Sequence, residues 1–491
     1  MAVATEREYL LFINGESSEA SGGELKELTE PATGEPLAKV AMATEADIDR
    51  AVEAARAALG GDWGRTAPTE RSRLLHALAD ALVANRKELA ELEVRNVGKA
   101  ISSVKAELNQ AVENFRFYAS AIGSIGGRSN PLGGSLLFYS LKEPVGVAGQ
   151  IVPWNYPLMM TTWKLAPALA AGCTVVLKPD SQTPLSALRM AELATEVGFP
   201  PGAINVVPGP GTTVGRHLVQ HPGVDKIAFT GSTETGAQIM RDASDGIKRL
   251  TLELGGKSPN IIFADADLAD AIPSSAWSIY YSAGQSCEAR SRILVEQSLY
   301  DDFVAKFSEA AASLKVGDPL ENETQVGSLI SPEHRDRVHG YVETGRGEGA
   351  EVTAGGELPR DGKGAFYPPT VLAGVNQEMT VAQEEIFGPV VTISAFADEK
   401  DAIRQANAVR YGLMATVWTG DPARGHRLAR RIKAGTVGIN MPFTAFPGIP
   451  FGGYKQSGFG RELGLETLEL YLETKSVIVS TSPKPFNPFG L

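Results

Sequence analysis

Of the two cysteines in the 491-residue chain, Cys287 lies in the stretch Tyr281-Ser282-Ala283-Gly284-Gln285-Ser286-Cys287-Glu288-Ala289. A sulfur among small, turn-forming residues at the end of an apolar segment is either a small core residue or a nucleophile. A nucleophile needs a base and donors for the oxyanion it creates. Leu252-Glu253-Leu254-Gly255-Gly256-Lys257-Ser258-Pro259 offers the base: apolar neighbours should raise the Glu253 pKa, and the two glycines let backbone approach a ligand closely. Pro153-Trp154-Asn155-Tyr156-Pro157 offers a donor, because an asparagine amide at the end of a strand can meet an oxyanion. Lys178-Pro179 ends another strand and suits cofactor hydroxyls or a phosphate. Taken alone, each stretch also has a plainer reading: Glu253 as a solvent-facing strand residue, Lys178 as a solvated charge.

Phosphate binding is expected at Phe229-Thr230-Gly231-Ser232-Thr233-Glu234-Thr235-Gly236, where a strand gives way to a helix and free N–H groups and hydroxyls collect. The spacing is not G-x-G-x-x-G. A nearer match, Gly345-Arg346-Gly347-Glu348-Gly349-Ala350, follows no strand and reads as a helix-end loop. None of His76, His217, His221, His334, His339 and His426 stands in a catalytic motif, and no cluster has metal-ligand spacing, so no metal is expected. His334 and His339, five apart, fall off one helical face and are expected at the surface.

These residues must be positioned by an α/β scaffold. From 145 to 255 strand and helix alternate: 145–152, 174–177, 203–207 and 226–230 are apolar runs separated by helix-forming segments, which implies a parallel sheet covered on both faces. The alternation resumes with strands at 260–263, 293–296, 390–396, 415–418 and 436–440. A second α/β domain is therefore expected, with the boundary near Gly255-Gly256. Ahead of it, Thr44-Glu45-Ala46-Asp47 caps a helix carrying Ile48, Val52, Ala55 and Leu59. Pro68 opens a second helix with Leu74, Leu75, Leu78, Leu82 and Leu89 on one face. A third runs through roughly 99–119. Gly126-Gly127, Pro131 and Gly133-Gly134 bracket an extended ribbon, and 476–480 is a lone strand before a proline-rich tail; such strands commonly pair with another subunit.

The composition is that of a globular protein, 43% hydrophobic and 21% charged, and the length suits two or three domains. A net charge of −12 argues against a nucleic-acid or anionic membrane surface. Two cysteines make neither a disulfide framework nor a cysteine zinc site. The charged start of the chain lacks the apolar core of a signal peptide, and no apolar run approaches a membrane span. A cytoplasmic enzyme is expected.

In the order of these motifs the chain resembles the aldehyde dehydrogenase superfamily over essentially its whole length. The resemblance is carried by Pro153-Trp154-Asn155-Tyr156-Pro157, by 229–236 and 252–259, and by Gly284-Gln285-Ser286-Cys287. Glu384-Glu385-Ile386-Phe387-Gly388-Pro389 and Pro450-Phe451-Gly452-Gly453-Tyr454-Lys455-Gln456-Ser457-Gly458 complete it. It implies α/β architecture: a Rossmann-like cofactor domain (1–120 and 145–255), a second α/β catalytic domain (256–456), and a β-ribbon oligomerisation flap (121–144 and 472–491) that makes homodimers or homotetramers. It implies Cys287 as nucleophile, Glu253 as the base for the hydrolytic water, and Asn155 with the Cys287 backbone N–H as oxyanion donors. The cofactor, NAD or NADP, would meet Ile151, Pro153, Trp154, Lys178, Ser181 and Gly211. Further along it would meet Phe229, Thr230, Gly231, Ser232, Thr235, Leu254 and Gly255. Glu385 would bind the nicotinamide ribose, with Phe387 against it.

Two positions bear on specificity. NAD-preferring members often carry a glutamate where Ser181 stands; its loss removes a repulsion, and NADP is expected to be accepted. Tyr156, Trp163, Tyr281, Ser286 and Phe451 match the substrate pocket. Four of these are aromatic, a box that suits an ω-aminoaldehyde or betaine aldehyde by cation–π attraction, or a hydrophobic or aromatic aldehyde by apolar burial. Glu288 would either counter a cationic group or point away. A CoA-acylating enzyme and a non-catalytic structural member are the alternatives, and Glu253 and the intact site speak against each in turn.

Overall fold

A computed structural model describes residues 7–131, 135–359, 362–442, 445–482 and 488–490. Gly133 and Gly134, expected at the ribbon turn, and most of the proline-rich tail lie outside these residues.

Two large sheets dominate. The first has eight strands, and its centre is five parallel strands in the order Arg249–Glu253, Lys226–Thr230, Val147–Ile151, Thr174–Lys178, Ile204–Val206. The inner strands are buried on both faces, which is why they read as continuous apolar runs rather than alternating ones. Strand order reverses between Val147–Ile151 and Lys226–Thr230, so the crevice beyond their carboxyl ends is the expected ligand site. Register brings those ends level: Ile151 pairs with Lys178, Phe229 with Ile151, and Thr230 with Glu253.

The second sheet has seven strands, six of them parallel, in the order Thr370–Ala373, Val390–Phe396, Arg292–Glu296, Pro259–Ile262, Met414–Trp418, Thr436–Ile439. The chain crosses from one sheet to the other between Glu253 and Pro259, and Gly458–Phe459 later returns to pair antiparallel with Arg249–Glu253.

Helix Pro157–Ala171 is buried at every residue, as befits a mostly apolar helix covered on all sides, although it carries Lys164. The capping pattern at Thr44 forms, its N–H donating to Asp47 Oδ2 at 2.8 Å. The stripe expected from Leu74 to Leu89 is cut at Asn85: helix Pro68–Ala84 carries four of its leucines, and Leu89 belongs to helix Arg86–Val97. Leucine spacing cannot register a turn of one residue. Ser129–Pro131, Leu136–Pro144 and Leu472–Ser480 form a three-stranded ribbon, the last two paired antiparallel along their full length.

Candidate active site

A cleft of about 1250 Å³ opens between the carboxyl edge of the first sheet and the second sheet. It is lined by Cys287, Glu253 and Asn155, by Pro153, Trp154, Thr230, Gly231, Ser232, Gly255, Glu385 and Phe387, and by Tyr156, Trp163, Tyr281, Ser286 and Phe451. Ile151, Lys178, Ser181, Gly211, Phe229, Thr235 and Leu254 do not line it. Ile151 and Phe229 are core residues behind it, Leu254 donates its N–H to Ser457 O, and Lys178 and Ser181 sit at the adjoining strand end.

Cys287 follows a run of left-handed backbone: Ser282, Ala283 and Gly284 have φ of 55°, 53° and 71°. Two of these are non-glycine, so the surroundings must hold them there. Gln285 does so from a fully buried position: its Nε2 donates to Ser282 O at 3.2 Å, and its Oε1 accepts from Ile330 N–H at 2.9 Å. Its carbonyl accepts from Asn155 Nδ2 at 2.8 Å. That bond joins the end of the first strand to the cysteine loop and leaves the second amide hydrogen of Asn155 for an oxyanion. Gly256 permits the close approach, since a Cβ there would lie 2.2 Å from Cys287 O.

Glu253 ends its strand buried, and neither carboxylate oxygen has a hydrogen-bond partner among the described residues. Burial raises it well above the usual carboxylate range, Glu462 adds to the shift, and Lys164 opposes it. Lys164 and Glu462 are themselves a buried pair, Nζ to Oε1 2.5 Å. The sequence reading passed over both, although a lysine within the apolar helix Pro157–Ala171 was a visible anomaly.

The Cys287 thiol is also pushed up, first by burial and then by Glu385 and Glu253. A raised thiol stays protonated until the pH exceeds its own pKa, so the reactive thiolate is gained as pH rises. Alkylation of Cys287 by iodoacetamide in the free protein should accelerate about tenfold per pH unit from about pH 6 to 9. Peptide mass spectrometry would follow it, and a plateau near neutrality would mean a thiolate already formed. Cys173, the second cysteine, is fully buried with its Sγ against Tyr471 O and is pushed up to about 11 by burial, as suits a packing residue.

On the opposite wall, Glu385 Oε1 accepts from Gly256 N–H at 3.0 Å, and burial raises its carboxyl to about 7. Phe387, at φ 60°, stands edge-on to Trp154 with ring centroids 5.3 Å apart. His334 corrects an expectation: it is not a surface residue but packs against Trp154, its Nε2 2.7 Å from Phe387 O. Helical spacing locates it on its helix, but only packing reveals what the helix faces. Ser232 caps helix Thr233–Ala243, its Oγ accepting from Thr235 N–H, and the buried Thr230 hydroxyl lacks a partner among the described residues. Gly211 opens onto free space. The helix start at Ser232 and the unpartnered Thr230 hydroxyl at a strand end fit a dinucleotide.

In the pocket, Trp163 and Phe451 meet edge-on at 5.3 Å, and Trp277, which sequence reading missed, packs on Tyr281 at 5.0 Å. One face of Tyr156 already carries the Lys99 ammonium, 4.4 Å from its centroid. Lys99 in turn is paired with Glu107 and lies 3.7 Å from Glu93. Burial raises Glu107 to about 7. Glu288 is resolved too: it pairs with the buried Arg290 and accepts from Ser286 Oγ at 3.2 Å.

Outside the cleft, Asp49, His217 and His221 come together at the surface, a grouping not expected from their spacing. His221 Nδ1 accepts from Gly223 N–H at 2.9 Å, so the neutral ring carries its proton on Nε2, toward Asp49, and offers no lone pair to a metal. Among the described residues no helix is long and apolar enough to cross a membrane.

A family model described as the aldehyde dehydrogenase family matches residues 18–477. The chain is 43% identical to the betaine aldehyde dehydrogenase of Bacillus subtilis (strain 168), over 98% of this chain and 99% of that protein. It is 44% identical to the NADP/NAD-dependent aldehyde dehydrogenase PuuC of Escherichia coli (strain K12), over 98% and 97%. Its fold superposes on an NAD+ complex of an aldehyde dehydrogenase from Bacillus cereus with a TM-score of 0.95, at 47% identity over 96% of this chain and 97% of that one.

Proposed function

The chain belongs to the aldehyde dehydrogenase family, an oxidoreductase acting on aldehydes, and from that premise we propose that it oxidises uncharged apolar or aromatic aldehydes to carboxylic acids through a thioester on Cys287. The observation that carries the reading is the Asn155–Gln285 bond, which ties an oxyanion donor to the Cys287 loop in the cleft that Glu253 enters.

Cys287 Sγ, once deprotonated, adds to the aldehyde carbon. The oxygen of that carbonyl takes up negative charge where the free Asn155 amide hydrogen and the Cys287 N–H can meet it. A nicotinamide dinucleotide, NAD or NADP, supplies the hydride acceptor when bound; Trp154, Thr230, Ser232, Glu385 and Phe387 would hold it. Glu253, once ionised, then takes a proton from water, the hydroxide adds to the thioester, and collapse expels the Cys287 thiolate and frees the acid.

The pocket's charges favour an uncharged substrate. A cationic one would find a Tyr156 ring already bearing an ammonium, and two of the carboxyls lining the cleft, Glu107 and Glu288, already paired with Lys99 and Arg290. Its aromatic lining still suits apolar burial. In steady-state assays, benzaldehyde or a medium-chain alkanal should exceed betaine aldehyde and 3-aminopropanal in kcat/KM by about tenfold or more. The reverse order would reinstate the cation-binding reading. Turnover only with CoA would favour acylation, and none with any aldehyde a structural role.

The ribbon supports self-association into a homodimer or homotetramer. Leu472–Ser480 is an edge strand, and Leu136, Leu137, Leu141, Ile478 and Val479 are exposed on its sheet. Sedimentation as a monomer at micromolar concentration would count against it. Two free thiols, Cys173 and Cys287, suit the reducing cytoplasm.

A further inference from the structure

The loop after Thr174–Lys178 is held rigid before any ligand arrives. Thr183 N–H donates to Asp180 O at 3.3 Å, and Gln182 N–H to Asp180 Oδ1 at 2.9 Å. Asn96, from helix Arg86–Val97, clamps the loop from outside by donating to Gln182 O at 2.8 Å. Within this loop stands Ser181. Onto it, from the separate three-stranded sheet near the N-terminus, reaches Lys26 of strand Leu25–Thr29. Its Nζ lies 3.5 Å from Ser181 Oγ, the outer limit of hydrogen-bond distance.

Lys26 is half-buried and has no carboxylate partner among the described residues. Lys178, buried at the strand end, donates to Pro179 O at 3.0 Å and feels the Lys26 charge as well as that of Asp180. Two ammonium groups and a hydroxyl thus gather around a fixed loop. The one carboxylate acting there, Asp180, has an oxygen already engaged by the Gln182 N–H. Asp180 offsets only part of the charge of the two lysines, and a dianion between them would neutralise the rest.

In a doubly wound sheet, the residues beyond the second strand read the adenine ribose: a carboxylate there accepts from the 2′-hydroxyl, whereas a cation accommodates a 2′-phosphate. Thr174–Lys178 is the second parallel strand of this sheet in chain order. Resting on the dinucleotide reading above, we propose that Lys26, with Ser181 and Lys178, forms a subsite for the 2′-phosphate of NADP. Lys26 is the specificity-determining member, because it comes from a different sheet and is not needed to build the strand end.

Calorimetric titration of the full-length protein with 2′,5′-ADP and with ADP tests this without turnover. Wild type should bind 2′,5′-ADP more tightly than ADP, with the steeper salt dependence. Lys26→Met should weaken 2′,5′-ADP by about tenfold, the scale of one lost charge-assisted hydrogen bond, and leave ADP little changed. Lys26→Arg should retain the preference. Equal weakening of both nucleotides by Lys26→Met, or no weakening of either, would overturn the assignment of Lys26 alone. Failure of wild type to bind ADP at all would overturn the dinucleotide reading, and this inference with it.

Discussion

Replacing Cys287 by alanine should abolish aldehyde oxidation, lowering kcat by a factor on the order of 10⁴ or more. On the proposed mechanism the sulfur forms the covalent bond to the aldehyde carbon, and the second cysteine, buried beside Tyr471, cannot substitute for it. The loop itself should persist. Its left-handed backbone is held by the side chain and carbonyl of Gln285, whose partners are Ser282, Ile330 and Asn155, and none of those bonds involves the sulfur. Absorbance of reduced nicotinamide with a panel of aldehydes measures the loss, and a thermal melt close to wild type separates it from misfolding. Appreciable turnover by Cys287→Ala would remove the thioester from the mechanism.

Glu253→Gln should act at the other half of the reaction. The variant keeps the shape of the side chain but cannot accept the proton of water, so acylation proceeds and deacylation slows, by about 10²–10⁴-fold. A burst of reduced nicotinamide followed by a slow phase is expected, with a protein mass increased by the acyl group. A variant with unchanged deacylation, or with no adduct, would count against Glu253 as the base. Stability supplies an independent sign. Because burial raises the Glu253 pKa, the carboxyl contributes fully to stability below its unfolded pKa, and that contribution is lost as pH rises through the folded one. Glutamine carries no such charge. The melting temperature of Glu253→Gln relative to wild type should therefore increase with pH, and a difference that does not vary with pH would mean the carboxyl is not held neutral.

Much of this site was legible in the order of residues. Strand ends are local: an apolar run followed by a turn locates Asn155, Lys178, Ser232 and Glu253 within a residue or two. The alternation of strands and helices implies a parallel sheet whose carboxyl edge gathers them. Cys287 could be singled out because small, turn-forming residues around a lone sulfur are a local signal as well.

What the chain could not show in one dimension were the partners brought by other elements. Lys164 meets Glu462 across 298 residues, and Asn155 meets Gln285 across 130. Lys26 reaches Ser181 across 155. Lys99 occupies a face of Tyr156, the contact on which the proposal of an uncharged aldehyde substrate rests. His334 was misplaced for the same reason. Sequence by itself determined the kinds of elements and the reactive groups at their ends, because hydrophobic period and turn chemistry act over a few residues. Only the tertiary structure decided which charges neutralise one another and which are left for a ligand, because that depends on register and packing between segments that no local period connects.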